Sequence, residues 1–167
     1  TSGTLGMALA LLAAARGYRL TLVSASSLID ANYQARLEGI GATMVVTEDP
    51  DGNGDQLRRL QRLEGIRREE PDCFWPRQYD NPGNALAYAR LAELLVRTVG
   101  KIDCLVGCVG SGGSLCGTGT FLRAVFPHLV VIAVDTHHSI LFGQPVGKRL
   151  LRGLGNSILP GNLRHDL

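Results

Sequence analysis

Apolar positions along the chain follow two alternating patterns. Leu5 to Arg16 is rich in Ala and Leu and predicts a helix, closed by Gly17 at the C-terminal position that glycine favours. Tyr18 to Val23 reads as a strand. Ser27 to Gly39 predicts a second helix, with Leu28, Ala31, Ala35 and Leu37 near helical spacing. Ala42 to Thr47, rich in β-branched residues, predicts a strand. After the surface loop "EDPDGNGD" comes an amphipathic, charge-rich helix from Gln56 to Glu70, whose alternating signs mark a solvated face. Pro71 breaks it.

The second half repeats the alternation. Phe74 to Tyr79 reads as a short aromatic strand or extended segment, and "DNPGN" as a turn in which Asn84 caps a helix from Ala85 to Val99. Cys104 to Val109 predicts a buried strand, Gly117 to Val125 a helix, and Val130 to Asp135 another strand. From Thr136 onward the chain is loop-rich. Strand and helix in alternation predict an α/β fold with parallel sheets flanked by helices. A handover between two α/β units is expected near Arg77 to Pro82.

Composition narrows the function classes. With 167 residues, the chain suits one domain or two small ones. It can bury roughly 70% of its unfolded surface without covalent staples. Its net charge of +2 is too weak to point to nucleic acid or a charged membrane surface as partner. No apolar run is long enough to predict a membrane span, and "LGMALALLAAA" lacks the basic flank of a signal peptide. Cys104 and Cys108, in one predicted strand, would lie about 13 Å apart, too far for a disulfide. All four cysteines are expected to be buried free thiols of a reducing cytoplasm. His137 and His138 are adjacent and make a poor metal pair; Asp49 and Asp51 are expected in a solvated turn. Trp75, Tyr79 and Phe74 are expected to pack in the core or a hinge.

The candidate chemistry lies in "VGSGGSLCGTG", Val109 to Gly119, between a predicted strand and a predicted helix. Unpaired N–H groups at a helix start attract anions, and glycine lets an oxygen approach the backbone closely. Three ligands compete for such a loop. A dinucleotide fingerprint matches at Gly110 and Gly112 but meets Leu115 at its third glycine, although Asp135 ends the next strand where a ribose-binding acid belongs. A triphosphate P-loop lacks its lysine. A cup for a single phosphate group needs only neutral donors.

Four segments in order settle on a resemblance. "TSGTLG", "QYDNPGN", "GSGGSLCG" and "GLGNSILPGN" resemble the motifs of the cysteine synthase family, the fold type II pyridoxal-phosphate enzymes that include cystathionine β-synthase. The resemblance covers essentially the whole chain and implies the tryptophan synthase beta-like architecture. Residues 1–77 would belong to the smaller N-terminal α/β domain, and residues 78–167 to the larger domain that binds the cofactor phosphate. It implies pyridoxal 5'-phosphate as cofactor and β-replacement on an O-activated L-serine, with β-elimination or cystathionine-type condensation as the alternative. A non-catalytic homologue that binds phosphate or a partner is the alternative from another class. Gly110, Ser111, Gly112, Gly113 and Ser114 would cradle the cofactor phosphate, with Thr4 and Gly153 also at the cofactor. Thr1, Ser2, Gly3, Gln78 and Gly155 would serve the amino-acid substrate. A homodimer is also implied.

The chain departs from the family's first loop at Thr4, where the family has Asn, and at Leu5, where it has Thr. The Schiff-base lysine lies upstream of that loop in the family, and neither Lys101 nor Lys148 matches it, so no catalytic residue is assigned. The expectation is the middle portion of a longer enzyme, inactive alone.

Overall fold

The computed structural model describes residues 3–151 and 153–167; the expected substrate-loop residues Thr1 and Ser2 lie outside the described residues, as does Arg152. Helix α1 (Thr4–Arg16) begins after Gly3, whose carbonyl accepts from Gly6 N and Met7 N, and it ends at Gly17 in the left-handed region. Strand β1 (Leu20–Ala25), helix α2 (Ala31–Gly39) and strand β2 (Ala42–Thr47) follow. The strands pair in parallel, Leu20 opposite Ala42 through Ala25 opposite Thr47. Ala10, Leu22, Leu37 and Ala42 form the core between helices and sheet, with Met7, Ile29 and Tyr33 packed on it. Each leucine buried there contributes about 1.5–3 kcal/mol.

Helix α3 (Gln56–Glu69) leads to the second unit: α4 (Pro82–Leu86), α5 (Ala89–Val99), β3 (Cys104–Cys108), α6 (Gly113–Val125) and β4 (Val130–Val134). Here too the strands are parallel, Cys104 opposite Val130 through Cys108 opposite Val134. The two sheets are separate, each of two strands. Ala92, Leu122 and Leu129 form one core cluster, and Val109, Leu115 and Leu141 another. The architecture is the α/β arrangement of parallel strands flanked by helices that the alternation predicts.

Several local expectations are corrected. Of the two readings for Phe74 to Tyr79, strand or extended segment, the strand does not form. Phe74 is exposed, and the guanidinium groups of Arg67 and Arg77 lie 5.2 and 5.7 Å from the ring centre of Trp75, which is part-buried and belongs to no core cluster. The helix expected from Ser27 starts at Ala31, because Asp30 caps it through Tyr33 N; Ser27 sits in a 3-10 turn and gives its hydroxyl to Asp49. The helix expected over Ala85–Val99 is two helices. Asn81, not Asn84, caps the first, and Tyr88 N donates to Ala85 O, a tight step that offsets the second.

Helix α6 starts at Gly113 rather than Gly117, so the glycine loop is shorter than the sequence suggests. The glycines at 113, 117 and 119 stay helical because α6 packs closely. A Cβ on Gly117 would lie 2.3 Å from the Ala85 carbonyl oxygen. Cys104 and Cys108 are exposed, not buried, because they share the open face of the β3–β4 sheet with Val106, Ile132 and Val134. Asp49 is buried, not solvated. His137 and His138 follow β4 instead of lying on a strand, and His138 takes a positive φ of 65°.

Candidate functional site

The turns that follow β1 and β3 open onto one cleft of about 710 Å³. Parallel α/β sheets place ligands at these carboxyl ends of their strands, and the volume lies within the range of small-molecule sites. Of the residues singled out from the sequence, Gly3, Thr4, Gln78, Gly110, Ser111, Gly153 and Gly155 line it. Gly112 and Gly113 are buried behind the lining, and Ser114 is exposed.

The glycine loop ends in a helix N-terminus of open donors. Gly112 caps α6 in the left-handed region, and Gly113 N donates to Ser111 Oγ at 3.3 Å. The N–H groups of Ser111, Gly112 and Ser114 have no acceptor among the described residues. Neither Gly112 nor Gly113 has room for a side chain: a Cβ would lie 2.6 Å from Asn162 O in the first case and 2.4 Å from Asn84 Oδ1 in the second. Hence the loop's glycines are fixed by the chain around them as well as by any ligand in front of them.

Three asparagines bind the segments into one unit. Asn84 Nδ2 donates to Gln78 O at 2.7 Å and to Ser111 Oγ at 3.2 Å. Asn162 Nδ2 donates to the same Gln78 carbonyl at 3.0 Å, and its N–H donates to Tyr79 O. Asn156, fully buried, donates from Nδ2 to Gly110 O at 3.3 Å and from its N–H to Ser139 Oγ at 3.0 Å. Gly155 N donates to Val109 O at 2.8 Å. A Cβ on Gly155 would lie 2.6 Å from Thr136 Cγ2, whereas Gly153 meets nothing within 4 Å. Packing alone therefore requires glycine at 155, while Gly153 opens directly to the cleft.

A second helix start faces the cleft at Gly3–Leu5. Tyr33 pins it by donating its hydroxyl to Gly3 O at 2.8 Å. The wall built on the 49–54 loop holds residues outside the four motifs. Asp49 accepts from Ser27 and from Gly54 N, folding the 49–54 loop inward. Arg59 reaches over this loop, with Nε donating to Gly54 O at 3.0 Å. Gln56 accepts from the Ser157 hydroxyl and so ties α3 to the C-terminal loop. Lys148 and Arg149 complete the wall. Burial, and then the charge of Arg59, pushes the Arg149 guanidinium below its usual pKa. Only the buried face of α3, marked by Gln56 and Arg59 three positions apart, carries a signal of this wall in the sequence. Among the described residues, no cluster of His, Cys, Asp and Glu is arranged to hold a metal ion.

Comparison with known proteins agrees with this arrangement. A family model described as "Pyridoxal-phosphate dependent enzyme" matches residues 1–167. Cysteine synthase 3 of Caenorhabditis elegans is 31% identical over all of this chain and 49% of its own length. N-(2-amino-2-carboxyethyl)-L-glutamate synthase of Cupriavidus metallidurans is 35% identical over 99% of this chain and 49% of its own. The crystal structure of the O-acetylserine dependent cystathionine beta-synthase from Helicobacter pylori superposes with a TM-score of 0.82 at 30% identity, covering 96% of this chain and 52% of that one. The chain spans about half the length of these relatives. With the glycine cradle, the ordered motifs and the full-length match together, the chain belongs to the pyridoxal-phosphate dependent enzyme family, in the fold type II group of the cysteine synthases.

Proposed function

We propose that the whole protein catalyses β-replacement on an L-serine whose hydroxyl carries a leaving group. The observation that carries this reading is the meeting on one cleft of the α1 start, Gly3–Leu5, and of Gly110–Ser111, the loop that leads into α6. One suits the phosphate of a cofactor and the other the carboxylate of an amino acid. The relatives' names point the same way, and the O-acetylserine in one of them is such an activated serine.

The residues present fit the family's cofactor. The unpartnered N–H groups of Ser111, Gly112 and Ser114, with the Ser111 and Ser114 hydroxyls, would hold its phosphate, on a loop where Gly110 leaves the backbone uncovered and Gly113 packs on Asn84. Thr4 and Gly153 would border its ring. When bound, pyridoxal phosphate supplies an electron sink at the substrate α-carbon. Thr1, Ser2, Gly3 and Gln78 would orient the substrate carboxylate, with Gly155 beneath it. Fixing both ends of the substrate aligns its α C–H bond and its leaving group before reaction, the gain from orientation. Leu5, on the cleft wall, makes that side of the pocket apolar. We also place the protein in the cytoplasm as a homodimer. The four free thiols support a reducing compartment.

The test is the visible absorption of the full-length protein before and after O-acetylserine. A yellow protein whose band shifts on addition supports the reading. A protein that stays colourless when pyridoxal phosphate is supplied refutes it and leaves a binding module. Sedimentation of the same sample checks the dimer.

A further inference from the structure

The start of α1 carries no cap of its own. Gly3, at the N-cap, has no side chain to accept from the first N–H groups, and the first turn holds no acid. The N–H groups of Thr4 and Leu5 have no acceptor among the described residues, and both residues line the cleft. Gly3 beside them is open: a Cβ there would meet nothing within 4 Å. Such donors aim at an anion only when something else fixes the backbone that carries them.

That hold comes from α2. Tyr33 donates its hydroxyl to Gly3 O at 2.8 Å, and among the described residues it is the one side chain that bonds this turn from another element. Gly3 O also accepts from Gly6 N and Met7 N, at 2.9 and 3.4 Å. The Gly3 carbonyl and the Thr4 N–H belong to one planar peptide unit and point in opposite directions. A hydroxyl that grips the oxygen therefore sets where the N–H points. It also polarises the peptide, which strengthens the N–H as a donor. Tyr33 is firmly placed for this. Its own N–H donates to Asp30 Oδ1 at 2.8 Å, and its ring packs on the core of Ala10, Leu22, Leu37 and Ala42. Neither contact uses the hydroxyl.

We propose that Tyr33 is a positioning residue that acts through the Gly3–Thr4 peptide to aim the α1 start at the α-carboxylate of the amino-acid substrate. It lies 30 positions from Gly3 in the chain, outside the four motifs. This rests on the β-replacement reading and assigns a further residue within it.

The experiment compares the full-length holoenzyme with its Tyr33→Phe variant, which keeps the ring and removes only the hydroxyl. Calorimetric titration uses L-serine and L-serinamide, which lacks the carboxylate charge. Tyr33→Phe should weaken L-serine binding about two- to tenfold, the scale of one hydrogen bond, and L-serinamide binding by less than about twofold. With O-acetyl-L-serine, KM should rise by a similar factor while kcat per bound cofactor holds, because the carboxylate is gripped alike before and during reaction. A purely structural role would lower the share of folded, cofactor-loaded chain and leave KM in place. In amide hydrogen exchange, L-serine should slow segment 3–7 of the wild type, and slow it less in the variant. Equal L-serine affinity in the two proteins overturns the proposal, as does an equal loss for both ligands. So does a Tyr33→Phe chain that does not fold or sheds its cofactor, because the hydroxyl would then serve the fold. A wild type without a colour change on O-acetylserine sinks the β-replacement reading. A wild type that responds, beside a variant with unmoved KM, sinks only this proposal.

Discussion

Replacing Gly112 with Ala tests the physical account of the glycine loop most directly. Gly112 has a φ of +82°, where an L-residue pays about 1–2 kcal/mol. The new Cβ would lie 2.6 Å from Asn162 O, 2.7 Å from Asn162 C and 2.8 Å from Leu163 Cα. All three are backbone atoms, so no side chain can swing aside, and overpacking of this kind adds about 1–3 kcal/mol. Restricting the unfolded chain returns about 0.4–1 kcal/mol. The net loss is therefore about 1–5 kcal/mol, centred near 3, a large share of an ordinary domain's stability. Gly143→Ala is the matched control. Its φ is +83°, but nothing lies within 4 Å of the added atom, so it should lose only about 1 kcal/mol. The displaced Asn162 also holds the Gln78 carbonyl, so the disturbance reaches the proposed substrate wall. The assay is urea unfolding of both full-length variants with cofactor absorbance followed after gel filtration. Equal destabilisation by the two variants, with cofactor retained, would refute the reasoning.

Asn84→Ala should cost about 1–3 kcal/mol, because the Gln78 carbonyl and Ser111 hydroxyl lose a shared donor. Asn84→Asp, which puts an acceptor against that carbonyl, should cost at least as much in the same unfolding assay. Thr4→Asn, restoring the family residue beside the proposed cofactor ring, should tighten cofactor binding; a fluorescence titration with unchanged affinity would remove that role from Thr4. Asp166 is held below the usual carboxylate range by the hydrogen bond from Arg164. A folded value below the unfolded one gives stability that is present above the ordinary aspartate range and lost as pH falls through the lowered value. Asp166→Asn should therefore remove a small, salt-sensitive part of the acid limb of the stability profile, measured by thermal melts at several pH values.

The sequence made the elements with internal rhythm readable. Helix α1 ends at Gly17, and β2 spans Ala42 to Thr47, as spacing and β-branching predict. It misplaced boundaries where a side chain bonds across space. Ser27 looks like a helix start, but its hydroxyl goes to Asp49, and Asp30 takes the cap. The glycines of α6 look like loop because propensity disfavours them in a helix. Close packing on Ala85 and on the sheet overrides that preference. Asp49 reads as a loop acid because nothing local announces that Gly54 N and Ser27 converge on it. The cationic wall was hidden for the same reason: Arg59 and Arg149 are distant in the chain and meet only over Gly54.

The cleft holds two kinds of donor, neutral N–H groups and guanidinium groups, whose chemistry differs. Neutral N–H groups at a helix start bind an oxyanion through fixed geometry, and their partial charges favour a group held permanently in one pose. A cofactor phosphate is such a group, and Gly110–Ser114 offers it no lysine or arginine in its own segment. Arginines act differently: in a half-buried site they favour a charged ligand over a neutral isostere of the same shape, so they confer discrimination. Arg59 and Arg149, which converge on Gly54, are donors of this second kind.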